Sequence, residues 1–137
     1  MNPLSGYTEL ELAGEKLSFK FGTNAWSMFC EKRKIEFYDI FKSGIFGRYG
    51  KDAEGNDIFN AEPDIFVLQE LYYFAYVTDC RIKKVPVRFC FEEFTALMDE
   101  TPGAMVALQK VLLEAKVMGY TFTQLAEEGG KANFQNP

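Results

Sequence analysis

The residues of this chain best suited to chemistry are acidic pairs and thiols, because it contains no histidine. The commonest general base and metal ligand is therefore missing, and with it the usual serine and cysteine triads. Adjacent carboxylates occur at Glu92/Glu93, Asp99/Glu100 and Glu127/Glu128. Two carboxylates divide acid and base roles only when they converge on one point, whereas sequence neighbours on a helix diverge around its axis. These pairs read as solvated or dipole-complementing groups. Cys30, Cys80 and Cys90 make an odd count without metal-ligand spacing, which suits neither a zinc site nor a disulfide framework and fits a reducing compartment. Cys80 precedes Arg81, a cation able to activate a thiol, but a structural cysteine on a helix face is the plainer reading.

Two glycine-bearing stretches look like ligand loops and fail in detail. Asp52-Ala53-Glu54-Gly55-Asn56-Asp57 has the acidic spacing of a calcium loop, yet its glycine comes too early and Pro63 stands where the last ligand should be. It reads as a turn. The glycines around it complete neither phosphate-binding motif, and Gly129-Gly130-Lys131 is only a fragment of one. No catalytic residue, cofactor or metal is expected, and the chain reads as a non-enzymatic protein that works by binding.

Composition narrows what it binds. At 137 residues, with 47% hydrophobic and 26% charged residues, the chain has the size of one domain able to bury roughly two thirds of its extended surface. A net charge of -5 argues against a nucleic-acid surface, which needs clustered Lys and Arg. The basic groups are local: Lys32-Arg33-Lys34 and Arg81, Lys83 and Lys84 fall where helices should end. The start lacks the pattern of a signal peptide, and the longest apolar stretch, Ile65 to Val77, is too short to span a bilayer. A cytoplasmic protein without membrane contact is expected. Fourteen Phe, seven Tyr and one Trp supply aromatic surface for a core or for an interface.

The elements that hold these residues can be read from periodicity. Tyr7-Thr8-Glu9-Leu10-Glu11-Leu12 and Lys16-Leu17-Ser18-Phe19-Lys20-Phe21 alternate at period two around a turn at Ala13-Gly14-Glu15. Thr23 or Asn24 offers an N-cap for a helix through about Lys34, with Ala25, Trp26, Phe29 and Cys30 inward. Phe37, Ile40 and Phe41 extend its apolar face after a kink near Ile35. Residues 44–62 read as a glycine-rich loop that carries large apolar groups and either folds back or orders on a partner. Pro63 fits the first turn of a helix to about Lys83, apolar on nearly every side, with Asp64 as a favourable early charge. A shorter helix with Phe91, Phe94, Leu97 and Met98 on one face follows Pro86. Thr101-Pro102 then opens a last helix to about Gly119, with Ala104, Leu108, Val111, Leu112 and Ala115 buried. The fold class is α+β: an N-terminal two-stranded antiparallel hairpin packed on a mainly helical domain of about four to five helices, spanning 1–126, with a flexible tail at 127–137.

The opening block, Tyr7 to Phe41, resembles tail assembly chaperones of long-tailed bacteriophages and prophages. It shares an acidic alternating strand, a glycine turn, and Leu17-Ser18-Phe19-Lys20-Phe21-Gly22-Thr23-Asn24-Ala25 with its F-x-x-N-A helix start. The similarity continues loosely through Leu68 to Val77 and Phe91 to Asp99, while residues 44–62 depart from compact members. It implies a small non-enzymatic protein that binds the tape measure protein, with tail tube subunits as a second client, and that is absent from the finished particle. It further implies self-association into a homo-oligomer and a longer frameshifted form. A structural particle component, such as a head-tail connector or tube-associated protein, is the alternative, and an enzyme with an unusual carboxylate or cysteine site comes last. Candidate partner-binding residues are Phe46, Tyr49 and Phe59 in the loop and Tyr72, Tyr73 and Tyr76 on the apolar helix. An open edge of the hairpin can also pair with another subunit or a client.

Overall fold

The computed structural model describes residues 5–40, 48–60 and 64–126, with the backbone alone at 48–50 and 57–60. Strands β1 (Tyr7–Leu12) and β2 (Glu15–Lys20) pair antiparallel, Tyr7 opposite Lys20 and Leu12 opposite Glu15. The two residues between them, Ala13 and Gly14, both have positive φ, 51° and 85°. This is the mirror-image turn whose twist matches that of the strands. As the alternation predicts, Leu12, Leu17 and Phe19 are buried, while Glu9, Glu11 and Lys16 are exposed. Beyond the strands, Phe21 N–H donates to Gly6 O at 2.9 Å. A Cβ on Gly6, whose φ is 84°, would lie 2.4 Å from Phe21 O, so this close approach admits glycine only.

Helix α1 (Thr23–Arg33) starts from Gly22, and neither Thr23 nor Asn24 caps it with a side chain. Both expected caps belong inside the helix. Its end is an αL residue, Lys34, which sends the next amide, Ile35 N–H, back to Cys30 O at 3.1 Å. The helix therefore stops at Arg33, and Phe37 and Tyr38 form a turn, closed by Ile40 N–H on Phe37 O, that leads into helical residues at Asp39 and Ile40. Within 44–62, expected as a loop, strands β3 (Arg48–Lys51) and β4 (Asp57–Asn60) form a second hairpin. Asp52 shapes its connection, with Oδ1 accepting from Glu54 N–H and Asn56 N–H. The calcium-like run is a turn, and this oxygen of its first carboxylate takes backbone donors.

Helix α2 (Ile65–Lys83) begins at Asp64, whose side chain accepts Phe66 N–H at 2.7 Å. Asp64 is thus the N-cap itself, and Pro63 lies outside the described residues. Leu68, Leu71, Tyr72, Ala75 and Tyr76 are buried along one face, and in the second half of α2 Val77 and Cys80 are buried on other sides as well. It is the central helix, touching β2, α1, α3 (Phe91–Asp99) and α4 (Ala104–Glu114). Glu70 ties it to α1 through Arg33 at 2.9 Å and Lys32 at 3.3 Å. Its C-terminus repeats the α1 device: Lys84 is αL and Val85 N–H returns to Cys80 O at 3.0 Å.

The last part departs most from expectation. Thr101 does not cap α4; its hydroxyl donates to Leu97 O and accepts Ala13 N–H, linking the end of α3 to the hairpin turn. The N-cap is Gly103, and the helix ends at Glu114 instead of Gly119. Strands β5 (Lys116–Val117) and β6 (Tyr120–Thr121) follow, turning at Met118 and Gly119 with φ of 52° and 89°. A helical stretch at 122–126 buries Phe122, which stacks on Trp26 at 5.8 Å. The protein is an α+β fold with its N-terminal hairpin laid on helices. Among the described residues no helix is long and apolar enough to cross a membrane. The tail at 127–137 lies outside them.

Candidate protein-binding surface

Tyr72, Tyr73 and Tyr76 sit on one side of α2, and each spends its hydroxyl inside the domain. Tyr72 is fully buried, its ring edge-on to Phe21 at 5.7 Å and its hydroxyl donating to Met105 O at 3.3 Å. Burial pushes its phenol well above the usual range. Tyr76 is 4% exposed, stacks on Phe94 at 6.2 Å, and accepts Arg88 N–H at 2.9 Å and Phe89 N–H at 3.3 Å. Half-buried Tyr73 donates to Phe89 O at 2.8 Å. Tyr72 and Tyr76 are therefore core groups in this fold, the central-helix side of the two readings open to an all-round apolar helix. The cause is that α2 is surrounded, so its aromatic side has neighbours to fill. Tyr73 keeps a partly open edge.

The other three candidates lie in the second hairpin. Tyr49 and Phe59 stand directly opposite one another in the β3–β4 register, and Phe46 falls outside the described residues. Sequence separation of ten residues thus becomes adjacency. Period-two pairing about the Asp52 turn was the signal that could have found it.

What the tyrosines do hold is an extended strap, residues 85–89, which sequence reading saw only as the place where Pro86 ends a helix. Tyr76 and Tyr73 fasten Arg88 and Phe89 by their backbones, leaving Val85 and Val87 exposed beside exposed Ile82. Across from the strap runs β2. Between them lies a cleft of about 190 Å³ whose wall includes Lys16, Leu17 and Ser18 of β2, Tyr76, Asp79 and Cys80 of α2, and Val85, Pro86, Arg88 and Phe89 of the strap.

Charges bridge its rim. Arg88 meets Glu15 at 2.6 Å and Lys16 meets Glu9 at 2.9 Å, both pairs well exposed and screened by solvent. Lys83 is held by the Tyr7 hydroxyl at 3.0 Å and by buried Asp79 at 2.9 Å, contacts that keep its ammonium charged above the ordinary lysine range.

The groups with chemical potential do not converge. Cys30 and Cys80 are buried, and desolvation raises both thiols. Cys90 opens α3, where its N–H donates to Glu93 at 2.9 Å and draws that carboxyl down. Glu92 and Glu93 are exposed in the first turn of that helix, and Asp99 and Glu100 are exposed at its end. Among the described residues no cluster of three His, Cys, Asp or Glu side chains could hold a metal. No family model, no curated protein and no solved structure matches the chain.

Proposed function

We propose that this chain is a non-enzymatic tail assembly chaperone of a long-tailed phage or prophage, acting in the cytoplasm of the bacterial host. Its client is the tape measure protein, with tail tube subunits as a second client. The observation that carries this reading is the opening block, in which an acidic strand, a Gly14 turn, a lysine-flanked strand and the Phe21-Gly22-Thr23-Asn24-Ala25 helix start occur in unbroken order. The fold supports it physically. A chaperone for a long helical protein must offer apolar and main-chain contacts while staying acidic enough to remain dispersed. Here Ile82, Val85 and Val87 stay exposed beside a hairpin that no further strand joins among the described residues.

Co-expression with the very long helical protein encoded beside it, followed by pull-down, tests the assignment. A stable complex is the expected result, and its absence overturns the chaperone reading. Mass spectrometry of purified particles separates it from the structural-component reading: a chaperone is missing from finished tails, whereas abundant presence identifies a connector or tube-associated protein.

A further inference from the structure

We propose that the outer edge of β2 accepts an extended segment of a client protein, carrying alternating acidic and apolar residues, as a third strand of the N-terminal sheet. The inference deepens the client-binding reading above but depends only on the chain being a protein-binding module.

The register determines which backbone groups are free. The bond from Phe21 N–H to Gly6 O continues the β1–β2 ladder, so the hydrogen-bonded pairs are Phe19 with Thr8, Leu17 with Leu10, and Glu15 with Leu12. Lys16, Ser18 and Lys20 must then direct their N–H and C=O groups outward. Among the described residues none of these six groups finds a backbone or side-chain partner. Such a row is a template for main-chain pairing.

The surroundings specify what pairs there. Below the edge, the cleft between β2 and the strap is walled by Tyr76, Cys80, Val85, Pro86 and Phe89, a place for an inward apolar side chain. Three cations, Lys16, Lys83 and Arg88, line it against one carboxylate, Asp79, in a chain whose net charge is -5. Lys83 is committed to Asp79 and Tyr7, but the exposed Lys16–Glu9 and Arg88–Glu15 pairs are weak enough to exchange for an incoming carboxylate. The inner edge of β2 already shows this preference. β1 pairs there with Glu11 opposite Lys16 and with Leu10 opposite Leu17.

A second copy joined symmetrically through β2 fits less well. Antiparallel pairing about Ser18 would set Lys16 opposite Lys20, like against like. The outer edge of β1 carries Glu9 and Glu11, exposed carboxylates that would repel an acidic strand.

The test is a titration of the full-length protein with a ten-residue acetylated peptide alternating Glu and Val, followed by amide NMR, beside the same peptide with Lys for Glu. The amides of Lys16, Ser18 and Lys20 should shift and exchange more slowly with the acidic peptide alone. Ser18→Pro removes an outward N–H without costing a β1–β2 bond, and should abolish binding. Lys16→Gln, which removes the cation at an exposed side chain without setting a carboxylate against Glu9 and Glu11 and so guards against a folding defect in the proline variant, should weaken it roughly twofold to fivefold. Shifts confined to other surfaces, equal response to the lysine peptide, or binding unaffected by both variants would overturn the proposal. So would a β2-dependent dimer in sedimentation that the peptide cannot displace, because the occupant is then a second copy. Pull-down of the tape measure protein by the wild type but equally by Ser18→Pro sinks the edge proposal alone. Failure of the wild type to capture it sinks the chaperone assignment and leaves the peptide result to decide the edge.

Discussion

The first and last hairpins of this protein use the same turn and owe their stability to different things. Both reverse through a non-glycine and a glycine with positive φ, Ala13-Gly14 in one and Met118-Gly119 in the other. The first joins six-residue strands with one face in the core, where Leu12 and Phe19 have no exposed surface. The last joins two-residue strands and shows Met118 86% exposed and Tyr120 53% exposed. Its strands bury little, and its support is a bond from Lys116 N–H to Ser5 Oγ at 3.4 Å, a local cap, and the side chain that follows it. Thr121 N–H donates to Gln124 Oε1, Gln124 N–H returns to the Thr121 hydroxyl, and Phe122 is delivered onto Trp26. A hairpin turn alone therefore says little about how much tertiary structure rests on it.

The contrast is broken most severely at Phe19. Replacing it by Ala should cost about 3–5 kcal/mol, by removing a fully buried ring that meets both Tyr76 and Phe94. Urea unfolding followed by circular dichroism measures it, and a loss under about 1 kcal/mol would show the first hairpin to be as dispensable as the last. Gly6→Ala comes next, at about 1–3 kcal/mol, since the new Cβ meets Phe21 O in a left-handed backbone. Calorimetric Tm reports it. Tyr76→Phe should cost about 1–3 kcal/mol and speed amide exchange at Arg88 and Phe89, both of which lose their acceptor. Unchanged exchange there would mean that the strap is held by its apolar contacts instead.

The smaller effects belong to the last hairpin. Thr121→Ala should cost about 1 kcal/mol by removing half of the reciprocal cap, and the loss should appear as fraying at 122–126 with α2 amides unaffected. Met118→Asn should stabilise by a few tenths of a kcal/mol, roughly, because Asn accepts left-handed φ more readily than Met at an exposed turn. Equal stability of the two proteins would argue that Met118 has packing worth keeping.

The first hairpin was legible because six consecutive residues alternate, so even a single misplaced residue would invert its faces. The last was read as helix because Ala115 continues the spacing of Leu108 and Leu112, and strands of two residues carry no period to oppose it. Thr121-Phe122-Thr123-Gln124 was the available signal, a capping box ahead of an apolar run. The helix caps failed for a related reason. Gly22 and Gly103 take the capping positions through backbone geometry, which the side-chain preferences of Thr23, Asn24 and Thr101 do not reveal. The candidate surface was least legible of all. Tyr72 and Tyr76 have the composition of contact residues, and burial depends on neighbours far along the chain.

By itself the sequence determined the α+β class, the inward and outward faces of the opening hairpin, and the existence of a central apolar helix. Each follows from local periodicity and the need to bury one face. Only the tertiary structure decided that Tyr73 and Tyr76 fasten a strap beside β2, that Thr101 reaches the Ala13 turn, and that the amides of Lys16, Ser18 and Lys20 open onto a cleft. These depend on which elements meet, and no local period encodes contacts that reach from Tyr76 to Arg88 or from Ala13 to Thr101.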